Sequence, residues 1–206
     1  FLLPSYLERA GSSLVYMAEN LVKKSGNNSS GFYLNNYEEL KNKILEQNYK
    51  GEKTILFGVT YALLDLCELD IALDENFIVI ETGGMKGKRK EITKQELHNI
   101  LKEKLKINAV HSEYGMTELL SQAYSKRDGI FKCPPWMKIL IRDPYSPNEY
   151  FPQGRVGAIN VIDLANLYSC SFIATQDLGR DLGDGKFEIL GRMNDAELRG
   201  CNLMID

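Results

Sequence analysis

The sequence is poor in histidine and cysteine, and these two scarcities argue against several kinds of site. Its 206 residues include two histidines and four cysteines, and the cysteines are scattered without a C-x-x-C pair. A zinc site is therefore not expected, and a disulfide framework does not suit a domain of this length. We expect reduced thiols in a cytoplasmic protein.

Long apolar runs and a strong net charge are also missing. No apolar run approaches the roughly 18 residues that cross a bilayer, and we expect no signal peptide, because the start of the chain shows no n-region/h-region pattern. The net charge of −3 provides no general attraction to nucleic acid. We therefore expect no membrane span and no nucleic-acid partner. Phe1 is not an initiator methionine, so we expect the chain to be part of a longer protein.

What the chain has is the composition of a globular protein, with helical and strand patterns that alternate in its first 125 residues. It is 44% hydrophobic and 26% charged. Apolar spacing and caps predict four helices, at 12–24, 37–48, 60–69 and after the capping box Thr93-Lys-Gln-Glu96. Short apolar runs predict four strands, at 31–34, 54–58, 77–81 and 108–111. This alternation predicts an α/β fold, a doubly wound, mostly parallel sheet with helices on both faces.

After about residue 125 the pattern changes to short strands separated by Pro, Gly and Asp turns. These strands are predicted at 138–142, 158–163, 172–174 and 186–190. We therefore predict an α/β subdomain over 1–125 and a smaller β-rich subdomain over 126–206.

Two segments follow predicted strands and carry residues suited to a nucleotide. Tyr114 offers an aromatic face, and Gly115 lets the backbone approach a ligand closely. Thr117 can donate its hydroxyl to a phosphate at a helix N-terminus, and Glu118 can hold Mg²⁺ between phosphate oxygens. Alternatively, Thr117 is only a helix N-cap and Glu118 only a first-turn acid. Gly83 and Gly84, after another strand, form either a phosphate loop or a plain glycine-rich turn without P-loop spacing.

The β-rich part adds a carboxylate and a guanidinium. Asp177 follows an apolar strand and can accept both hydroxyls of a ribose, or can cap a turn. Arg192 can clamp a phosphate or ribose, or can pair with Asp195.

Together these segments resemble the adenylate-forming superfamily, which uses ATP and Mg²⁺ to join a carboxylic acid to AMP. Gly83-Gly84 matches its adenine-side loop and Tyr114-Gly-Met-Thr-Glu118 its central signature. Asp177-Leu-Gly179 matches its ribose motif, and Gly191-Arg192-Met-Asn-Asp195 through Arg199-Gly200 its hinge motif.

A closer resemblance is to the acyl-protein synthetase branch, the long-chain-fatty-acid–protein ligases of bacterial luminescence. It spans nearly the whole chain and includes Glu81-Thr-Gly-Gly-Met-Lys-Gly87, Cys133-Pro-Pro-Trp-Met137 and Glu197-Leu-Arg-Gly-Cys201. It implies a fatty acid substrate, a protein partner that reduces or transfers the acyl group, and Cys201 as the residue that carries it. Without the resemblance, Cys201 would read as an incidental thiol.

The chain departs from the superfamily in several places. Its Ser/Thr/Gly-rich phosphate loop and its lid lysine are absent, Gln176 stands where a glycine is usual, and Asn194 replaces an aspartate. We therefore expect this chain alone to be inactive. Two other functions stay open: transfer to coenzyme A, and a non-catalytic subunit of an acyl reductase or acyltransferase complex.

Overall fold

A computed structural model describes residues 1–4, 12–84, 89 and 92–193. Its contacts divide the chain into two compact units. The first contains Phe1–Thr117 and Ser125–Asp128, and the second contains Glu118–Tyr124 and the chain from Gly129 onward. A compact unit need not fold independently, so the division into domains at residue 125 stays a prediction.

Local sequence signals mark the ends of α-helices at several places in the first unit. Thr93 and Glu96 form the predicted capping box in front of the fourth helix. The first two helices end at Gly26 and Gly51, whose φ angles of 61° and 64° are left-handed. The helices are α1 (Ser13–Ser25), α2 (Tyr37–Lys50), α3 (Thr60–Leu66) and α4 (Lys94–Leu105), and a 3₁₀ turn at Cys67–Leu69 continues α3. Within the described residues, no helix is both long enough and apolar enough to cross a membrane.

Three parallel strands form the sheet of the first unit. They are β1 (Thr54–Val59), β2 (Phe77–Thr82) and β3 (His111–Tyr114), with β2 in the middle. Apolar side chains from β1, α3, β2 and α4 form the core, among them Phe57, Leu63, Leu66, Val79, Leu101 and Leu105.

Two strand predictions in this unit need correction. The strand predicted at 108–111 is instead β3, which begins at His111 and continues through Tyr114. Its residues Ser112 and Glu113 are polar but can be buried in the strand, because each has a polar partner. The strand predicted at 31–34 is a single bridge between Tyr33 and Leu2.

The second unit is an antiparallel sheet. Its strands run in the order β5 (Ile130–Lys132), β9 (Lys186–Arg192), β8 (Phe172–Gly183), β7 (Val156–Asp163) and β6 (Met137–Arg142). The short β4 (Ala123–Ser125) precedes them. Asp184 and Gly185, both with positive φ (53° and 71°), form the tight turn between β8 and β9.

All four strands predicted for this part are present, but β8 is longer than predicted. It continues from Ala174 through Gly183, because β7 and β9 pair its polar, glycine-containing backbone on both sides. Asp177 and Arg192 therefore lie within strands rather than after them. The α/β fold class is confirmed, with the parallel strands in the first unit.

Candidate functional site

The loops after β2 and β3 leave the same edge of the first unit's sheet, since these neighbouring strands are parallel. Gly83 and Gly84 are exposed directly after β2. Gly83 has a φ of 69°, which favours glycine, and its carbonyl accepts a hydrogen bond of 3.0 Å from the buried Thr60 hydroxyl. No atom of the described residues lies within 4 Å of a Cβ placed at Gly84. With respect to that part of the chain, the backbone at Gly83 and Gly84 is open to a ligand, as an adenine-side loop would require.

The segment after β3 contains no helix, which corrects both sequence-based interpretations of it. Tyr114 ends β3 and is buried, whereas Gly115, Thr117 and Glu118 are exposed. Thr117 and Glu118 lie in a turn. A helix N-terminus, whether as phosphate site or as cap, is therefore wrong for them.

Asn166 holds the chain on the far side of that turn. Its side-chain amide donates to the Glu118 carbonyl at 2.6 Å and accepts from the Leu120 amide at 2.9 Å. Asn166 is buried, so these bonds fix the backbone while the Glu118 side chain stays exposed. The backbone at Glu118 is therefore held by hydrogen bonds to Asn166 and not by the helix that the sequence predicted.

A buried polar network joins β2, β3 and α4 below these loops. Glu81, 1% exposed, accepts from Lys94 at 2.5 Å, and its carboxylate lies 3.4 Å from Nε2 of His98. The same His98 nitrogen is 3.3 Å from the Ser112 hydroxyl. Burial alone raises the pKa of Glu81, but the bonds from His98 and Lys94 outweigh it, so that pKa is lowered. Sequence reasoning missed this network, although polar residues at the ends of buried strands were a usable signal.

A second bond crosses from β2 to β3 where these strands end. The Thr82 hydroxyl donates to the Glu113 carboxylate. Burial raises the pKa of Glu113, and the negative charge of Glu81 raises it further. The hydrogen bond from Thr82 lowers this pKa, but by less, so the pKa of Glu113 is raised. The folded protein therefore binds a proton at Glu113 more tightly than the unfolded chain does.

We predict that Glu113→Gln changes stability in a pH-dependent way. A raised folded pKa contributes stability below the unfolded value of about 4.5, and this contribution is lost as pH rises through the folded pKa. The free energy of unfolding of the wild type, relative to Glu113→Gln, should therefore fall as the pH rises above about 4.5 in urea titrations. Glu75→Gln, at an exposed position, is the control. A difference that is constant or grows with pH would contradict the assignment.

Asp177 and Arg192 stand directly opposite each other on β8 and β9. Nε of Arg192 is 3.4 Å from Oδ1 of Asp177, and their side chains are 72% and 15% exposed. An ion pair this exposed contributes little to stability, about 0–1 kcal/mol. The turn-capping interpretation of Asp177 is wrong, because Asp177 lies inside a strand. Asp195, the alternative partner of Arg192, lies outside the described residues.

Gly179, two residues after Asp177, has a steric reason to be glycine. A Cβ at this position would lie 2.3 Å from the Glu188 carbonyl oxygen and 2.5 Å from Cδ1 of Ile159. Any side chain there would separate β8 from both neighbouring strands. The glycine of the Asp-Leu-Gly motif therefore maintains the packing beneath Asp177.

The structure thus brings the proposed nucleotide residues into two groups, one in each unit. In the first unit Gly83 and Gly84 follow β2, Tyr114 ends β3, and Gly115 and Thr117 come after it. The second unit contains Glu118 and the pair of Asp177 and Arg192. The convergence of both groups on one crevice stays a prediction. In the part of the chain that the structure describes, no three His, Cys, Asp or Glu side chains form a metal-binding group. Mg²⁺ at Glu118 would therefore need phosphate oxygens as further ligands, which is how proteins commonly hold it.

The described cysteines differ in their chemical state. Burial raises the pKa of Cys67 and of Cys133 to about 11, so little thiolate forms at neutral pH. Cys170 is exposed, and its thiol contacts the Phe172 carbonyl at 3.0 Å. Cys201 lies outside the described residues.

Several solved structures share this fold at low sequence identity. ATP-bound MatB from Rhodopseudomonas palustris is 18% identical, with a TM-score of 0.57 over 78% of this chain and 34% of that one. MenE, an o-succinylbenzoate-CoA synthetase from Bacillus subtilis, is 21% identical, with a TM-score of 0.57 over 80% and 35%. McbA, an amide bond synthetase from Marinactinospora thermotolerans, is 17% identical, with a TM-score of 0.55 over 80% and 36%. The chain spans about a third of the length of these proteins.

These likenesses establish the fold, and a family model establishes the relationship. The predicted fold, that of the adenylate-forming core, is confirmed. No curated protein matches the chain. A model of the family described as acyl-protein synthetase, LuxE, matches residues 17–206. Because that match covers most of the sequence, the chain belongs to the LuxE acyl-protein synthetase family.

Proposed function

We propose that the whole protein is an ATP-dependent ligase that activates a fatty acid as acyl-AMP and passes the acyl group to a protein cysteine. The observation that carries this proposal is the pairing of Asp177 with Arg192 across β8 and β9. A mostly buried carboxylate beside an exposed guanidinium suits a ribose next to a phosphate. Family membership and the ATP-bound structures of MatB and MenE support the same chemistry.

The activation step joins the acid to the nucleotide. A carboxylate oxygen of the fatty acid attacks the α-phosphorus of ATP, the new P–O bond forms, and the bond to pyrophosphate breaks. Thr117 would donate to the phosphates, and Glu118 would hold Mg²⁺, which would supply positive charge beside the phosphate oxygens. Both side chains are exposed and therefore accessible to a ligand.

The nucleoside is held by other residues. Tyr114, which is buried at the end of β3, is assigned to the adenine side of the site, together with the exposed backbone at Gly83 and Gly84. Asp177 accepts the ribose hydroxyls and Arg192 contacts the ribose or the phosphate. Each of these roles uses a group whose chemistry matches the part of the nucleotide it contacts.

In the transfer step, a thiolate attacks the acyl carbonyl carbon, forming a C–S bond and releasing AMP. We assign this thiol to Cys201, by resemblance to the acyl-protein synthetases. The raised pKa values of Cys67 and Cys133 argue against those two residues. The resulting thioester suits a reductase or an acyltransferase as protein partner, since thioesters are reactive acyl donors.

Asp177→Asn tests the nucleotide site. An amide accepts less strongly than a carboxylate and donates where the ribose hydroxyls also donate. Losing a charged hydrogen bond costs about 1.5–3 kcal/mol, so the KM for ATP should rise roughly 10- to 100-fold, with a smaller change in kcat. Fatty-acid-dependent pyrophosphate release measures both constants in the whole protein.

The matched control for that test is Asp184→Asn. Asp184 lies in the exposed turn of the same hairpin, and Asn-Gly suits that turn as well as Asp-Gly does. Its KM for ATP should equal that of the wild type. An unchanged KM in Asp177→Asn would remove Asp177 from the site and the principal support from the proposal.

A further inference from the structure

The strand that carries Asp177 is interrupted by a bulge at this residue. Ala158 pairs with Leu178 and Asn160 pairs with Ala174, so three residues of β8 oppose the single residue Ile159 of β7. Those three residues are Thr175, Gln176 and Asp177. Bulges redirect the side chains of the strand that contains them and are frequent beside active sites. The direction of the Asp177 carboxylate therefore depends on what holds this bulge.

We propose that Thr175 and Arg142 are positioning residues that hold the bulge and thereby aim Asp177 at the ribose. The inference rests on the proposed function, because it assigns them a role in nucleotide recognition through Asp177. Thr175 lies two residues before the Asp177-Leu-Gly179 motif, and Arg142 lies in none of the motifs that carry the family resemblance. Both are buried, at 6% and 8% exposure.

The Thr175 hydroxyl replaces hydrogen bonds that the bulge removes from the β7–β8 ladder. It donates to the Ile159 carbonyl at 2.9 Å and accepts from the Asp177 amide at 3.1 Å. One buried hydroxyl thus links the unpaired residue of β7 to the backbone of the proposed ribose ligand. Without it, two buried backbone groups would lose a partner, and the bulge would relax toward another geometry.

Arg142 reaches the bulge from β6, on the other side of β7. Its Nη2 donates to the Thr175 carbonyl at 2.9 Å, while its Nε has no hydrogen-bond partner among the residues that the structure describes. The small Ala158, opposite Arg142 in the register, leaves room for the long side chain to cross β7. The guanidinium therefore satisfies a carbonyl that the bulge has removed from regular pairing.

The burial of Arg142 is hard to explain by stability alone. Among the described residues, no carboxylate lies within 4 Å of its guanidinium. A buried charge without a counter-charge costs free energy, and an apolar side chain of similar size would usually be more favourable. A role in the geometry of the bulge accounts for a cation at this position.

The β9 side of Asp177 is irregular as well. Leu178 pairs with Gly191 and Gly179 pairs with Ile189, which leaves Leu190 unpaired in β9. The Met193 amide donates to the Gln176 carbonyl at 2.7 Å, beyond the Asp177–Arg192 pair. Regular pairing is interrupted on both sides of Asp177. The backbone geometry there therefore depends more on the hydrogen bonds of Thr175 and Arg142 than it would in a regular ladder.

The test measures how well the whole protein distinguishes a ribose from a deoxyribose. Dissociation constants for AMP, 2′-deoxyAMP and 3′-deoxyAMP are determined by calorimetry, and the discrimination is the ratio of deoxy to ribo values. We expect about tenfold or more in the wild type and a ratio near one in Asp177→Asn. Thr175→Val and Arg142→Met should lower the ratio to about two- to threefold. Thr175→Ser, which keeps the hydroxyl, should restore it.

The control and the second variant separate positioning from general damage. Arg180→Met removes a cation from β8, the strand that contains the bulge, and should keep the full ratio. Arg180 lies outside the bulge and pairs with Glu188 at a distance of 3.0 Å. Arg142→Lys keeps the buried charge but loses the planar fork, and should give an intermediate ratio. Arg142→Lys also provides the test of the proposal if Arg142→Met or Thr175→Val does not fold.

Each failure has a different signature. If Asp177→Asn keeps the wild-type ratio, Asp177 does not bind the ribose, and the proposed function loses its support. If Asp177→Asn lowers the ratio while Thr175→Val, Arg142→Met and Arg142→Lys keep it, the positioning role is overturned. Lower thermal stability with an unchanged ratio would count as this second result.

Discussion

Replacing Cys201 by serine is expected to abolish the acyl-thioester formed by the whole protein while leaving activation of the fatty acid intact. The protein is incubated with ATP and a radiolabelled fatty acid and then treated with neutral hydroxylamine, which cleaves thioesters. A thiolate is a far better acyl acceptor at neutral pH than a hydroxyl, so Cys201→Ser should carry no hydroxylamine-labile label. ATP–pyrophosphate exchange should match that of the wild type, because it reports only the activation step.

Cys170→Ser is the matched control for this experiment. Cys170 is the exposed thiol among the described cysteines, whereas burial raises the pKa of Cys67 and Cys133 to about 11. The control should keep its label. Loss of the label in Cys170→Ser instead would identify Cys170 as the acyl acceptor. Labelling that survives both substitutions and depends on added coenzyme A would favour the coenzyme A ligase alternative.

Glu118→Gln is expected to reduce fatty-acid-dependent pyrophosphate release by about 10²–10³-fold. The amide keeps the size of the side chain but removes the charge that would hold Mg²⁺, and losing one such electrostatic contact typically has an effect of this magnitude. The backbone of the turn should persist, because Asn166 bonds the Glu118 carbonyl rather than its side chain. Higher Mg²⁺ should restore part of the rate.

The control for Glu118→Gln is Glu149→Gln, which removes a carboxylate from an exposed position in the same unit. It should leave both the rate and its Mg²⁺ dependence unchanged. Wild-type rates in Glu118→Gln at low Mg²⁺ would show that this carboxylate does not bind the metal.

The sequence predicted best those features that depend on neighbouring residues. The capping box of Thr93 and Glu96 was readable, because a cap involves residues only three positions apart. The strand at 77–81 was readable from its β-branched, apolar residues. The residues of the candidate site stay a prediction from motifs, whose order and spacing can be read without knowledge of the fold.

The errors arose where distant partners override local preference. Ser112 and Glu113 are polar, but partners on β2 and α4 let them lie buried in β3. Residues 175–183 resemble a loop in composition, yet strands on both sides make them part of β8. Thr117 precedes no helix, because the chain after it is held by Asn166, some 46 residues beyond Leu120.

The sequence by itself determined the helix caps, the apolar strands and the fold class, and it supplied the residues that we propose for a nucleotide. Only the tertiary structure placed Asp177 opposite Arg192, set Asp177 in a bulge and brought Arg142 to the Thr175 carbonyl, 33 residues away. The physical reason is that caps and propensities act over one turn of chain, whereas register and bulges depend on which strands become neighbours. Strand neighbours are chosen by burial of the whole core, which no local pattern encodes.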